Sequence, residues 1–342
     1  MKKTNVFLGI LLLSVSAMAV PAVSGAETVV IKFSHVVAAD TPKGKAAEKF
    51  KQLVEERSKG AIKVEVYPNS QLYKDKEEMD ALIQGNVQML APSMAKFGPF
   101  GVHHFELFDL PFIFPNKETL YRALDGAIGK RLFDKLEVKG VTGMAYCDNG
   151  FKQMSANKPL HKVSDFNGLK MRIQSSKPLA AQMQALGAIP QVMPFSEVYT
   201  ALQQGVVDGT ENPLSNMYTQ KMHEVQKHLT LSNHGYLGYA VIANKKFWDG
   251  LKVEQRNLIS QAMKEATAYE RGIAQQENDE SLAKIRAAKT TEIYTLTEAE
   301  RVKWIEALSP VNQVFESVVG KENIQELNDI AEQVAKEKVT KK

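Results

Sequence analysis

LKMRIQSSKPLAAQMQALGAIPQVMPFSEVYTALQQGVVDGTENP, running from Leu169 to Pro213, reads as strand, helix, strand, helix, strand. The strands fall at 169–173, 189–193 and near Val206-Val207, and the helices at about 177–186 and 197–204. Side chains alternate along a strand, so Met171 and Ile173 face a core while Lys170, Arg172 and Gln174 point the other way. Arginine is rarely buried unless paired, and its planar fork matches a carboxylate in a two-pronged contact. Arg172 is therefore the first candidate ligand-binding residue, with an ion pair inside the protein as the alternative.

The same order of elements occurs earlier in the chain. A strand is expected over 28–34, a helix from Thr41-Pro42 to near Gly60, a strand over 62–67, a helix ending at Gln84-Gly85, and a strand over 87–91. Threonine as N-cap, proline at the first helical position and glycine past the end are the expected punctuation. Short echoes accompany the repeated order. Gly60-Ala61-Ile62 matches Gly187-Ala188-Ile189, and the run from Ala81 to Val87 resembles that from Ala201 to Val207. Two related α/β domains follow, each a mostly parallel sheet covered by helices.

Beyond them, residues 253–289 contain no proline and one glycine, Gly272, among good helix formers. A helix of that length spans roughly 50 Å, more than one small domain. Its apolar residues keep no steady heptad, so a strut across both domains fits better than a coiled-coil arm. Thr297 to Glu300 gives a capping box for a further helix, and the Lys-rich tail from Lys336 is expected to fray.

The first 26 residues have a basic start, Lys2 and Lys3, an apolar run from Val6 to Val20 and a small-residue end at Ser24-Gly25-Ala26. This is a secretory signal peptide with cleavage expected after Ala26. Removing it takes the net charge from +4 to +2, a balance that argues against a nucleic-acid partner. Cys147 is the single cysteine and has no partner within the chain for a disulfide. An exported chain of this kind relies on its apolar cores, and its length suffices for two domains.

Motifs for catalysis are missing: there is no G-x-S-x-G elbow, no phosphate-binding glycine loop and no H-E-x-x-H. His103-His104 with Glu106 and Asp109 hint at a metal, but adjacent histidines diverge on a strand or a helix, so partly exposed loop residues are the favoured reading. Neither a cofactor nor a metal is expected. A binding protein asks instead for converging donors. Phe195 stands as an apolar wall before a helix whose N-cap is expected at Ser196, and Asn212 leaves the strand edge where ligands gather in open α/β sheets.

The run G-L-K-M-R-I, followed by L-G-A-I-P-Q-V-M-P-F-S-E-V-Y-T-A-L-Q-Q-G-V-V-D-G-T-E-N-P, resembles the solute-binding subunits of tripartite ATP-independent periplasmic (TRAP) transporters of the dicarboxylate (DctP) type. The resemblance continues through F-S-H-V-V-A-A-D-T-P-K-G at 33–44, Y-P-N-S-Q-L at 67–72 and S-N-H-G-Y at 232–236. It implies a two-lobed α/β periplasmic binding protein (Venus-flytrap) fold, with crossing strands and a long helix spanning both lobes. The expected lobes are residues 27–149 plus about 238–277, and 150–237 plus about 278–342.

The resemblance also implies capture of a small organic acid in the periplasm, a C4-dicarboxylate such as malate, succinate or fumarate, for delivery to a membrane permease. It places the carboxylate-binding arginine on Arg172, the asparagine on Asn212 and the aromatic wall on Phe195. A second basic position falls on Lys152, where sugar-acid binders carry arginine, which leaves the far end of the ligand open. His35 and Lys43 flank the loop after the first strand, Ser93 and Met94 follow the third, and Tyr236 and Tyr239 stand near a crossover; all six are further candidates. Lys43 reads equally well as a solvated helix residue. A sugar acid, keto acid or aromatic acid is the alternative ligand, an exported enzyme or a sensory module the alternative class, and a monomer the expected state.

Overall fold

Residues 28–340 are described in the computed structural model of the chain, and the expected leader ending at Ala26 lies outside them. The first half follows the expected order: β1 (Val29–Ser34), α1 (Pro42–Arg57), β2 (Ile62–Tyr67), α2 (Glu78–Ile83) and β3 (Met89–Leu90). Thr41 caps α1 by accepting a hydrogen bond from the Gly44 N–H, with Pro42 at the first helical position. Then come α3 (Lys117–Asp125), α4 (Ala127–Glu137) and the long strand β4 (Val141–Ala156).

The second half repeats the plan with β5 (Lys170–Ile173), α5 (Lys177–Ala185), β6 (Ile189–Val192), α6 (Val198–Gln203) and β7 (Gly209–Asn212). Its third strand begins later than expected, because a turn at 204–208 takes up Val206 and Val207. Ser196 is not an N-cap. It lies within a short 3-10 turn, Phe195–Glu197, and Glu197 precedes α6 without a side-chain cap.

The echoes mark one device used twice. Gly60 and Gly187 share a φ of +81° just past the ends of α1 and α5, a conformation that favours glycine. After the second helix of each half the Gly85 N–H donates to Leu82 O and the Gly205 N–H to Leu202 O.

The chain continues through α7 (Leu214–Thr219), α8 (Met222–Val225), the long strand β8 (His228–Asn244), α9 (Lys245–Gly250) and α10 (Val253–Ala288). It ends with β9 (Glu292–Thr295), α11 (Glu298–Val319) and α12 (Lys321–Thr340). Thr297 and Glu300 form the expected capping box, and α12 remains helical past Lys336 to Thr340.

The strand order β2-β1-β3-β8-β4-β7-β5-β6 reads as a palindrome around two crossing strands. Within each half the pairing is parallel, β1 with β2 and β3, and β5 with β6 and β7. The crossing strands β4 and β8 pair antiparallel with each other and with β7 and β3 respectively, so the two expected sheets are fused into one. The α10 helix packs on α1 of the first half, on β4 and on α7 of the second, as a strut would. One apolar core joins Phe33, Phe50 and Val64 to Val198, Leu202 and Leu214 across the two halves. A second lies in the first half and takes in α11 and α12 through Phe315 and Leu327. A third, under β5 and α5, is sealed by Trp304.

Candidate functional site

Along β5, Met171 and Ile173 enter the apolar core and Lys170 is exposed, as alternation requires. Arg172 is only 1% exposed. Its Nε and Nη2 donate to Met193 O at 3.1 and 2.9 Å, engaging one edge of the fork, and its Cζ lies 5.8 Å from the centre of the Phe195 ring. Arg172 forms no ion pair within 4.0 Å among the described residues. Burial lowers its pKa, opposed by the more distant carboxylates of Asp75 and Glu211.

Lys152 is buried to the same degree but is fully engaged. It stands opposite Gly235 of β8, the last regular pair before a register shift between Lys152 and Met154. Its Nζ lies 2.8 Å from Glu211 Oε1, while Glu211 Oε2 is 2.9 Å from His234 Nε2 and Ser232 Oγ is 2.7 Å from His234 Nδ1. Burial works against the charge of Glu211, but Lys152 and His234 outweigh it and hold the carboxyl down at about 2. Asp109, also near Lys152, is pushed up by burial to about 6.

Lys43, in the first turn of α1, is 1% exposed, which rules out the solvated reading. Its Nζ donates to Ala91 O at 2.8 Å and lies 3.5 Å from the centre of the Tyr239 ring, a cation–π contact. Burial lowers its pKa to about 8, with Glu78 and then Asp75 opposing. Glu78 is itself pushed up to about 8 by burial and by Asp75, so at neutral pH it is mostly uncharged. His35 is fully buried, and burial and Lys43 together lower its pKa to about 3.

Asn212 ends β7 with only long contacts, Nδ2 to Thr210 Oγ1 at 3.5 Å and Oδ1 to Asn216 Nδ2 at 3.4 Å. Asn216 also reaches the Tyr239 hydroxyl at 3.4 Å, which links Asn212 to the ring under Lys43. Ser93 Oγ meets Gln174 Oε1 at 3.3 Å, a contact between the halves. Met94 packs in the first half's own core, and so does Tyr236, edge-on to Phe114 and Phe151. Arg172 with Phe195 is one contact group and Asn212 with Asn216, Tyr239 and Lys43 another, set side by side by the pairing of Arg172 in β5 with Thr210 in β7, whereas Lys152 belongs to the Glu211 network. His103, at the surface, turns toward Glu106 at 3.4 Å.

Three polar residues here went unread in the sequence. Glu211 lies inside the T-E-N-P run and His234 inside S-N-H-G-Y, so both stood within recognisable motifs. Asp75 had no such signal: it follows an irregular segment in which Asn69 and Ser70 both take positive φ. Its Oδ1 pairs with Lys96 Nζ at 3.2 Å and its Oδ2 accepts the Phe195 N–H. Burial opposes its charge, yet Lys96, the Phe195 N–H and Arg172 hold its pKa below the usual carboxylate value.

Two α/β halves on crossing strands, with buried cations gathered between them, define a solute-binding protein of the two-lobed type. Residues 33–317 match Bacterial extracellular solute-binding protein, family 7 (DctP), and the chain belongs to that family. The C4-dicarboxylate-binding periplasmic protein DctP of Rhodobacter capsulatus is 62% identical over 308 residues, covering 90% of this chain and 92% of that one. A TRAP periplasmic solute-binding protein of Shewanella oneidensis, solved with bound succinate, superposes with a TM-score of 0.87 at 44% identity, covering 89% of this chain and 99% of that one. Another from Sulfurospirillum deleyianum, also with succinate, gives 0.86 at 48% identity with the same coverage. The resemblance read from the sequence holds, and with it the two-lobed α/β fold; the family is one of solute-binding proteins, not of enzymes.

Proposed function

We propose that this chain captures a C4-dicarboxylate between its lobes in the periplasm, after cleavage of the leader at Ala26, and delivers it to the membrane permease of a TRAP transporter. The observation that carries the reading is a charge balance. Of four buried cations around the site, Lys96 is paired with Asp75 and Lys152 with Glu211. Arg172 and Lys43 are in no ion pair within 4.0 Å among the described residues. Glu78, close to Lys43, is mostly protonated at neutral pH and offers no full counter-charge. Two buried positive charges of this kind suit one small dianion.

In this reading the fork of Arg172 holds one carboxylate, Asn212 adds an amide, and Phe195 and Tyr239 wall the chain of the acid. We assign the second carboxylate to Lys43, because Glu211 already engages Lys152; His35 and Ser93 complete the first lobe's side, and Lys152 frames the chamber through Glu211. A charged hydrogen bond contributes about 1.5–3 kcal/mol. Three such bonds and an amide cover the roughly 8 kcal/mol of micromolar binding, less what lobe closure and ligand ordering cost. The lobes are taken as residues 27–149 with about 238–277 and 150–237 with about 278–342. α12 is the exception to these bounds: since it packs on α3, it is expected to travel with the first lobe.

Calorimetric titration with succinate, malate and fumarate tests the proposal, with butyrate as the monoanion of equal length. Dianions are expected to bind at about micromolar Kd and butyrate about 100-fold more weakly, while Arg172→Ala abolishes ligand-induced thermal stabilisation. Equal binding of butyrate, or stabilisation by sugar acids or neutral sugars alone, would sink it.

A further inference from the structure

The loops that follow β2 and β6 occupy equivalent places in the two halves, and they meet each other. From the first, Asp75 Oδ2 accepts the Phe195 N–H and Lys74 Nζ lies 3.0 Å from Glu197 Oε1 of the second. Two residues before that N–H, Met193 O receives both hydrogen bonds from Arg172. Pro194 stands between them with φ −57°, and its ring fixes that torsion, so the planar peptide and the ring leave ψ of Pro194 as the one soft torsion between the Met193 carbonyl and the Phe195 amide. The segment is gripped from one side by Asp75 and grips Arg172 on the other.

We infer that Asp75 is a positioning residue which couples closure of the two halves to the orientation of Arg172. When the loops meet, Asp75 pins the 193–195 segment, the Met193 carbonyl fixes one edge of the guanidinium, and the other edge is aimed at the carboxylate. When they part, the segment loses its anchor and the fork loosens, so release of the acid follows opening. The buried Lys96 pair keeps Asp75 charged and oriented for this contact. The inference rests on the dicarboxylate reading and adds to it a residue from the opposite lobe.

Two variants and two readouts test it. Asp75→Ala removes the acceptor, whereas Asp75→Asn keeps an amide oxygen for the Phe195 N–H and gives up the charge. Stopped-flow release of succinate is expected to be about tenfold faster in Asp75→Ala with the association rate little changed, and within a few-fold of wild type in Asp75→Asn. In parallel, a zero-length carbodiimide cross-link between Lys74 and Glu197, read by mass spectrometry, reports whether the loops meet with or without ligand. Its yield is expected to fall several-fold in Asp75→Ala and to persist in Asp75→Asn. Wild-type release and cross-linking in Asp75→Ala would overturn the inference. So would an Asp75→Asn protein that behaves like Asp75→Ala, since the effect would then trace to Lys96 left without its counter-charge. Wild-type protein that takes up no succinate would sink the dicarboxylate reading instead, and the cross-link comparison would still decide the role of Asp75.

Discussion

The two halves share one plan, and each buries one paired and one unpaired cation near the seam, but they surround them differently. In the second half Lys152 pairs with a Glu211 held down at about 2, and Arg172 lies farther from that carboxylate with no ion pair of its own among the described residues. In the first, Lys43 is lowered to about 8 among a Glu78 raised to about 8 and a His35 lowered to about 3. The second half offers a charge that no ordinary pH removes. The first offers one that its surroundings adjust. Paired cations on this view hold the architecture, and unpaired ones hold the solute.

The largest expected effect separates paired from unpaired. Lys152→Met removes the cation of the buried Glu211 carboxylate, leaving it with His234, and is expected to destabilise the fold by about 3–5 kcal/mol in urea unfolding. Arg172→Met removes a buried charge that has no ion-pair partner, so unfolding without ligand should change little or move toward greater stability. Equal losses in the two variants would break the distinction. The Glu211 network also has a pH signature. Its folded pKa lies below the unfolded value, so its contribution is present above about pH 4.5 and is lost as pH falls toward 2.

Next comes the difference between the two unpaired cations. Raising the pH through about 8 deprotonates Lys43 and ionises Glu78, and both changes disfavour a dianion. Succinate affinity is therefore expected to fall between pH 7 and pH 9. Lys43→Met should weaken binding at pH 7 by about 1.5–3 kcal/mol and make the fall over the same range shallower, leaving only the part due to Glu78. A wild-type profile as shallow as that of the variant would remove Lys43 from the ligand.

How far the sequence reveals this depends on whether a feature is local. Helix punctuation and strand alternation are local, which is why β1 to β3 and β5 to β7 were readable with their order and why Arg172 stood out. The fusion of two sheets by β4 and β8 was not, because it depends on pairings such as Cys147 with Tyr239 that lie far apart in the chain. The same limit applies to charges. Lys152 and Glu211 are 59 positions apart, so their pairing cannot be read from spacing. Lys43 reads as an ordinary helix residue until the Tyr239 ring is seen beneath it.

The echoed glycines allow the smallest test, on the two halves as scaffolds. Gly60 and Gly187 share their φ of +81°, and a side chain at either meets the same backbone penalty of about 1–2 kcal/mol. Their surroundings differ. A Cβ at Gly60 meets nothing within 4 Å, whereas at Gly187 it falls 2.1 Å from Asn167 Oδ1, on the loop leading into β5. Gly60→Ala should therefore show the conformational penalty alone. Gly187→Ala should cost more, because Asn167 must move, and the disturbance lies next to the strand that carries Arg172. A slightly weaker succinate affinity in Gly187→Ala but not in Gly60→Ala would tie that loop to the anchor. Equal stability loss with unchanged affinity in both would show that the repeat serves folding alone at these positions.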